Sequence, residues 1–225
     1  MTNRVTVAAL DAWLRAFAGL VAEHEDELSR LDAAIGDADH GANMNRGLTA
    51  ATAALDALAA GEPPPAAGAV LSRVGMTLIS TVGGASGPLF GTFFLRMGTT
   101  LGDHETPTVE TLAAALRAGL AGVVQRGKAE VGDKTMYDAL APAVEAFEAA
   151  LAAGEPLAGA LAAASKAADD GCTATIPLVA RKGRASYLGE RSVGHQDPGA
   201  TTVGLFFRAA LDAGIDAAAA GREAG

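Results

Sequence analysis

Large hydrophobic residues recur three or four positions apart at the start of the chain. Between Val5 and Leu31 they fall at Leu10, Trp13, Leu14, Phe17, Leu20, Val21 and Leu28. This spacing predicts one long amphipathic helix, because a half-buried strand would alternate at every second residue. The same period returns in seven later segments: 43–60, 68–82, 88–100, 108–126, 134–153, 156–180 and 200–220. We therefore expect an all-α bundle of about eight helices.

Glycine and proline separate these segments. The connectors 61–65, 102–107, 127–133 and 154–156 are rich in residues that end helices. Pro142 and Pro177 should kink or end the segments that contain them. None of the connectors is long and polar enough to be an interdomain linker, so residues 1–225 are expected to form a single helical domain.

The charge balance narrows the classes of partner. The chain has 17 Lys and Arg against 26 Asp and Glu, a net charge of −9, which argues against nucleic acid and anionic membranes. The single Cys172 cannot form an intramolecular disulfide. The first residues lack the features of a secretory signal, and no apolar run reaches about 18 residues. We expect a cytoplasmic protein without a membrane segment.

Three carboxylates lie within eight residues at the end of the first helix. They are Asp32, Asp37 and Asp39, and Gly36 allows the chain to turn between them. If the segment after Gly36 is extended, Asp37 and Asp39 point the same way and Asp32 can join them. Carboxylate oxygens suit Mg²⁺. The alternative is that these residues form turns or cap the next helix at a solvated surface.

Glycine makes up 28 of 225 residues, and much of the excess is concentrated in four loops. The second of these loops, residues 81–91, opens into a helix with Pro88 near its first position. Free backbone N–H groups at such a helix start bind phosphate. The alternative is a tight turn between two helices.

The third loop contains a misleading motif. Residues 122–129 nearly spell a phosphate-binding Walker A loop, but Ala129 stands where Ser or Thr is required and the preceding segment is helical. We reject that assignment. Asp133 is placed to cap the following helix, and structure alone can explain Lys128 and Lys134.

The fourth loop, residues 181–199, is basic in an otherwise acidic chain. Four of the 17 basic residues lie within eleven positions, and Arg184 or Arg191 can neutralise phosphate charge; a solvated basic loop is the alternative. Asp197-Pro198-Gly199 predicts a turn into the last helix.

Together the four loops provide carboxylates, phosphate-binding glycines and basic side chains. A carboxylate cluster accepts a polyphosphate only with divalent cations between them, so this set favours Mg²⁺-nucleotide binding.

Four long motifs in order, at 35–41, 82–94, 126–136 and 180–200, resemble the nucleotide-binding L subunit of bacterial dihydroxyacetone kinase. The resemblance covers nearly the whole chain. It implies a barrel of eight antiparallel helices that holds ADP or ATP in the loops at one end, through two Mg²⁺ ions.

By matching position, the resemblance implies that Asp32, Asp37 and Asp39 are the metal ligands. It also implies the nucleotide contacts, which are His40, Gly41, Ala42, Asn43, Ala85, Ser86, Gly127, Met136, Arg184, Asp197, Pro198 and Gly199. Arg184 is the expected catalytic residue, because a cation there stabilises charge on the transferring phosphoryl group.

The resemblance also implies partners. A separate K subunit binds dihydroxyacetone covalently through a histidine, and the L subunit supplies the phosphoryl group. Either ADP stays bound and is rephosphorylated by a phosphotransferase-system protein, or ATP exchanges freely; the full motif set favours the first. A role as a nucleotide-loaded module that docks on a transcription regulator stays open, and so does the oligomeric state, a homodimer included.

A different enzyme class is disfavoured by composition. Helical prenyl-transferring enzymes also place Asp-rich motifs at helix ends and bind Mg²⁺-diphosphate. They need a second Asp-rich motif and an aromatic pocket for a carbocation, whereas only 4% of this chain is aromatic.

Overall fold

The computed structural model describes residues 4–215. This part of the chain contains nine α-helices and one 3₁₀-helix, and its only β pairing is an isolated bridge between Arg4 and Thr108. The helices are α1 Val7–Glu23, α2 Glu25–Ile35, α3 His40–Ala59, α4 Ala67–Thr81, α5 Ser86–Leu101, α6 Val109–Gly127, α7 Tyr137–Ala152, α8 Leu157–Ala174, the 3₁₀-helix η1 Arg184–Ser192, and α9 Pro198–Asp212. The all-α prediction is confirmed.

The first predicted helix is divided into two. Its amphipathic stripe runs unbroken to Val21, but a polar run from Glu23 to Glu27 follows before Leu28 returns to the core. α1 ends at Glu23, and the next residue, His24, leaves the helical region of backbone space (φ −102°, ψ 13°). This break adds a ninth helix to the eight expected. The last predicted segment extended to residue 220, and the portion after 215 lies outside the described residues.

Eight of the helices form a closed ring. Each helix from α3 to α9 packs against the next one in the chain, α9 packs on α1, and α1 packs on α3. α2 packs mainly on α3, outside this ring. Because neighbouring helices joined by short connectors run antiparallel, the result is an up-and-down helical barrel.

An aromatic cluster fills the interior of the ring. The Phe206 ring of α9 stacks on Trp13 of α1 at 4.5 Å between centroids and meets Phe17, Phe93 and Phe94 edge-on. The Trp13 indole N–H donates to the Phe206 carbonyl at 2.7 Å. Although only 4% of the chain is aromatic, the aromatic residues are concentrated where α1, α5 and α9 meet.

Glycine has a second use that the loop pattern did not reveal. α4 and α5 pack closely along glycines, so that a Cβ added at Gly75 would lie 2.7 Å from the Gly91 carbonyl oxygen. A Cβ at Gly98 would lie 2.7 Å from the carbonyl oxygen of Gly68. Part of the glycine excess therefore belongs to a helix interface and not to the four loops.

The up-and-down order puts alternate connectors at the same end of the barrel. The connectors α2–α3, α4–α5, α6–α7 and α8–α9 contain the four loops that the sequence singled out. None of the helices in residues 4–215 is long and apolar enough to cross a membrane.

Candidate functional site

The four connectors at this end line one cavity of about 520 Å³. That volume lies within the range of about 300–1,000 Å³ that small-molecule sites occupy. Its walls carry four carboxylates and four cations, together with backbone from the starts of α3, α5 and α9. The charged residues are Asp32, Asp37, Asp39, Asp197, Arg126, Lys134, Lys182 and Arg184.

Three of the carboxylates converge on one point. One ligand oxygen from each of Asp32, Asp37 and Asp39 lies within 4.8 Å of the others. Asp32 is buried, whereas Asp37 and Asp39 are exposed. Oxygen atoms at this separation fit a hard divalent cation such as Mg²⁺, which takes carboxylates together with water and phosphate oxygens.

The backbone brings these carboxylates together in a way that differs from the extended segment expected. Ala38, between the two exposed aspartates, has a left-handed conformation with φ of 64°, which is uncommon for a residue with a side chain. Gly36 is required by space, because an added Cβ would lie 2.0 Å from the Asp32 carboxylate. The convergence was predicted, and the turn that produces it was not.

The Asp32 carboxylate also holds the start of α3. Its Oδ2 accepts hydrogen bonds from the backbone N–H groups of Asp39 at 2.9 Å and His40 at 3.1 Å. These bonds satisfy two amides that a helix start leaves without intrahelical partners. The cap of α3 and the carboxylate cluster therefore share one side chain, which fixes the distance between them.

His40 connects α3 to the two helix starts on the opposite wall. Its Nε2 lies 2.8 Å from the Thr202 hydroxyl and its Nδ1 lies 3.1 Å from the Ser86 hydroxyl. The Thr202 hydroxyl donates to the carbonyl of Pro198, so it accepts from Nε2–H, and Nδ1 is left to accept from Ser86. Burial lowers the pKa of His40 below its ordinary value, which keeps the ring neutral as this pattern requires.

The glycine-rich turn before α5 forms the second wall. Gly84 has φ of 65°, a left-handed conformation that glycine adopts without steric cost. Ala85 is the N-cap residue and Ser86 the first residue of α5, with Pro88 two positions later. The N-terminal N–H groups of α5 are directed to the cavity end of the barrel, as an anion site at a helix start requires.

The basic loop brings a cation to the carboxylate cluster. The Arg184 guanidinium at the start of η1 lies 3.0 Å from the Asp37 carboxylate, and its side chain is 69% exposed. Lys182 and Arg126 are also exposed at the cavity wall. Each can therefore meet an anion in the cavity.

Asp197 begins α9 as the turn motif predicted. Its carboxylate accepts from the Ala200 N–H at 2.7 Å, and Pro198 occupies the first helical position. Burial raises the pKa of Asp197 to about 7, well above its ordinary value, with the charges of Asp138 and Asp32 adding to the effect. The start of α9 thus carries a carboxyl group that ionises near neutrality.

The α6–α7 connector shows that the predicted helix cap at Asp133 is wrong, and it agrees with the rejection of a Walker A loop. Asp133 does not cap α7: its carboxylate accepts from the Glu130 N–H, and α7 begins after Met136. Asp138 organises this connector instead, through the N–H groups of Gly132 and Thr135. Residues 122–127 are helical, which agrees with the rejection of a Walker A loop.

The structure brings nearly all the predicted site residues to one cavity. His40, Asn43, Ala85, Ser86, Gly127, Met136, Arg184, Asp197, Pro198 and Gly199 line it together with the three aspartates. Gly41 and Ala42 do not: they lie in the first turn of α3, and a Cβ at Gly41 would lie 2.1 Å from the Glu25 carbonyl oxygen. Gly41 therefore allows α3 to approach α2.

Sequence reasoning missed Thr202 and the importance of Lys134. Thr202 is fully buried inside α9, where a polar residue among apolar neighbours was the only available signal. Lys134 is 1% exposed, a burial that no local sequence pattern indicates.

The chain matches the family model of the DAK2 domain over residues 34–212. It belongs to the DAK2 domain family. The matched region includes Asp37, Asp39 and all four connectors that line the cavity, and Asp32 lies two residues before it.

Two curated relatives match the chain over most of their length. The chain is 48% identical over 191 residues to the ADP-binding subunit DhaL of PEP-dependent dihydroxyacetone kinase from Escherichia coli, covering 85% of this chain and 89% of that one. It is 38% identical over 210 residues to the ADP-binding subunit DhaL of PTS-dependent dihydroxyacetone kinase from Lactococcus lactis, covering 92% and 98%.

A solved structure agrees in fold. The dihydroxyacetone kinase of C. freundii in complex with AMP-PNP and Mg²⁺ matches with a TM-score of 0.66 and 26% sequence identity. The match covers 94% of this chain and 35% of that one, so the chain spans about a third of that larger kinase.

Proposed function

We propose that this DAK2-domain chain is the ADP-binding subunit of a dihydroxyacetone kinase. The observation that carries the proposal is the meeting of three carboxylates, the start of α5 and Arg184 in one cavity. The high identity to two ADP-binding subunits over nearly their full lengths supports it.

Asp32, Asp37 and Asp39 fit as the ligands of Mg²⁺, and we propose two ions. When bound, the metal neutralises phosphate charge and polarises the transferring phosphoryl group. The fit rests on the donor set itself, since three carboxylate oxygens within 4.8 Å repel each other unless a cation lies between them.

The residues of this chain supply the remaining contacts. The N-terminal amides of α5 receive phosphate oxygens. The neutral His40 holds the Ser86 hydroxyl in one orientation, through the hydrogen bonds described above. Arg184 lies next to the carboxylate cluster and places a permanent positive charge where negative charge develops during transfer.

The acceptor is proposed to be dihydroxyacetone held covalently on a separate K subunit, since two similar proteins of nearly the same length are named as ADP-binding subunits of dihydroxyacetone kinases. ADP is proposed to remain bound and to be rephosphorylated by a phosphotransferase-system protein. The cavity opens at the end of the barrel, where both partners can reach it in turn.

The test is a reconstituted transfer assay. Purified chain is mixed with the K subunit of the Escherichia coli kinase, dihydroxyacetone and the phosphotransferase proteins with phosphoenolpyruvate. We expect dihydroxyacetone phosphate to form only when the phosphotransferase proteins are present. Full turnover on free ATP without them would replace the recharging scheme by ATP exchange, and no product under either condition would contradict the kinase assignment.

A further inference from the structure

Lys134 is a buried cation whose partners are all main-chain carbonyls. Its ammonium donates to the carbonyl oxygens of Thr175 at 2.8 Å, Leu178 at 3.2 Å, Ile176 at 3.3 Å and His195 at 2.5 Å. An ammonium has three N–H donors, and here every donor is directed to the protein. Lys134 lines the cavity, yet it has no donor left for a phosphate oxygen.

The four carbonyls lie at the two ends of the α8–α9 connector. Three of them directly follow α8, and that of His195 lies two residues before the N-cap of α9. The Gly194 N–H also donates to the Ile176 carbonyl at 2.8 Å. The two ends therefore form a neck, defined here as residues 175–178 and 194–196, and Lys134 occupies its centre.

The loop that this neck closes carries two of the four basic residues that line the cavity, Lys182 and Arg184. Arg184 lies between the two ends of the neck, and Asp197-Pro198-Gly199 follows directly after it. The loop is also joined to the α6–α7 connector, because the Arg181 N–H donates to the Asp133 carbonyl at 3.0 Å. We therefore expect a change at the neck to affect the parts of the cavity wall that the α8–α9 and α6–α7 connectors form.

The backbone at Lys134 indicates that its side chain is needed. The residue has φ of 61°, a left-handed conformation that glycine adopts easily and lysine does not. A strained lysine persists where the surrounding structure fixes it. Four carbonyl oxygens around one ammonium provide that fixation, because they replace the water that a buried charge loses.

We propose that Lys134 is a positioning residue, which closes the neck of the α8–α9 connector and so holds Arg184 and the start of α9 against the nucleotide cavity. This inference rests on the proposed function. It differs from a direct role in phosphate binding, since the ammonium acts on the loop and not on the ligand.

The test uses one variant and two controls. Lys134→Met keeps a long side chain and removes every N–H donor. Lys166→Met removes an exposed lysine of α8 that pairs with Asp170. Phe147→Leu destabilises the core at a fully buried position of α7 that makes no bond to the neck.

The first measurement is amide hydrogen exchange without nucleotide or metal. We expect Lys134→Met to speed exchange in residues 175–195 by at least about tenfold, because local opening there loses its main barrier. Phe147→Leu should speed exchange across the whole barrel, and Lys166→Met should change nothing. Should Lys134→Met not fold, Lys134→Gln keeps two donors on a side chain one atom shorter and should give a smaller increase confined to the same residues.

The second measurement is a double-mutant cycle on transfer to dihydroxyacetone. Lys134→Met should lower kcat by about tenfold in the unchanged chain but by less than about twofold in an Arg184→Ala background, because both changes disable the same group. Phe147→Leu should leave kcat within about twofold in both backgrounds.

Three results would overturn the inference. They are unchanged exchange in the loop, equal losses of kcat in both backgrounds, and loss of nucleotide binding with normal exchange, which would indicate direct contact with phosphate. If the unchanged chain transfers no phosphoryl group, the proposed function fails, and the exchange experiment still decides whether Lys134 closes the neck.

Discussion

At the scale of single residues, the site depends on side chains with two partners each. Asp32 caps α3 while it contributes to the carboxylate cluster, and His40 joins Ser86 to Thr202. The sequence predicted Asp32, Asp37 and Asp39 because three carboxylates near a glycine turn are a local pattern. The Thr202 and Lys134 contacts span 162 and 61 residues, and no local pattern carries such a distance.

Asp37 and Asp39 are the better targets for testing the proposed metal site, because neither side chain makes a hydrogen bond that caps α3. We expect Asp37→Asn and Asp39→Asn each to weaken Mg²⁺-dependent ADP binding by at least about tenfold, since loss of even an indirect metal contact has that effect. Titration calorimetry with and without Mg²⁺ measures it. Asp170→Asn, an exposed position on α8, is the control, and ADP binding at unchanged strength in both site variants would remove the metal assignment.

Arg184 tests the transfer step separately from binding. Arg184→Ala should lower kcat by about 100-fold while ADP affinity changes by less than about tenfold, because the guanidinium acts mainly on charge that develops during transfer. Arg184→Lys keeps the positive charge without the planar geometry, so its kcat should lie between those of the unchanged chain and of Arg184→Ala. The coupled assay of dihydroxyacetone phosphate gives kcat, and Arg208→Ala, an exposed pair with Asp169, serves as control. A kcat unaffected by Arg184→Ala would exclude the catalytic role.

At the scale of elements, hydrophobic spacing predicted where the helices lie, and packing decided how they meet. The break between α1 and α2 lies in a polar run that interrupts the hydrophobic stripe, so the sequence contains the signal that predicts it. The close α4–α5 contact was not, because glycines in a helix look unfavourable until the partner helix is known. The four connectors were predicted because they concentrate glycine and charge. They lie at one end of the barrel because successive connectors of an up-and-down barrel alternate between its two ends.

The α4–α5 contact gives a stability prediction. Gly75→Ala should lower the free energy of unfolding by about 1–3 kcal/mol, because the added Cβ meets backbone atoms of α5 at 2.7–2.8 Å. Gly19→Ala is the matched control, since it lies in α1 with nothing within 4 Å of its added Cβ, and it should raise stability by about 0.5–1 kcal/mol. Urea unfolding followed by circular dichroism measures both, and a neutral Gly75→Ala would contradict the described packing.

At the scale of the whole molecule, an acidic chain builds a cavity of balanced charge. The net charge is −9, yet four basic residues and four aspartates line the cavity together. The overall charge predicted the absence of a broad nucleic-acid surface, and only the folded arrangement shows that the basic loop and the aspartates meet. The closure of the ring between α1 and α9 likewise depends on contacts between the two ends of the sequence.

The partly buried Asp197 makes the free energy of unfolding depend on pH. Its pKa of about 7 lies above its ordinary value of 3.8, so between these values the folded state binds more protons than the unfolded state. Stability therefore falls as pH rises from about 4 to about 7 and levels off above.

Asp197→Asn removes this dependence and keeps an oxygen that accepts from the Ala200 N–H. The free energy of unfolding of the variant, relative to the unchanged chain, should rise by about 1–3 kcal/mol between pH 4 and pH 8. Chemical unfolding at several pH values in EDTA measures this difference. A difference that stays constant with pH would show that Asp197 ionises normally.

We propose that this cavity holds Mg²⁺ and ADP, and that the protein is a tightly loaded phosphoryl carrier. The most direct measurement is to pass the protein through extensive gel filtration in Mg²⁺, denature it, and identify and count the released nucleotide by chromatography. We predict close to one ADP per chain, and little after the same steps in EDTA. A protein that releases no nucleotide and also fails to bind added Mg²⁺-ADP would contradict the claim.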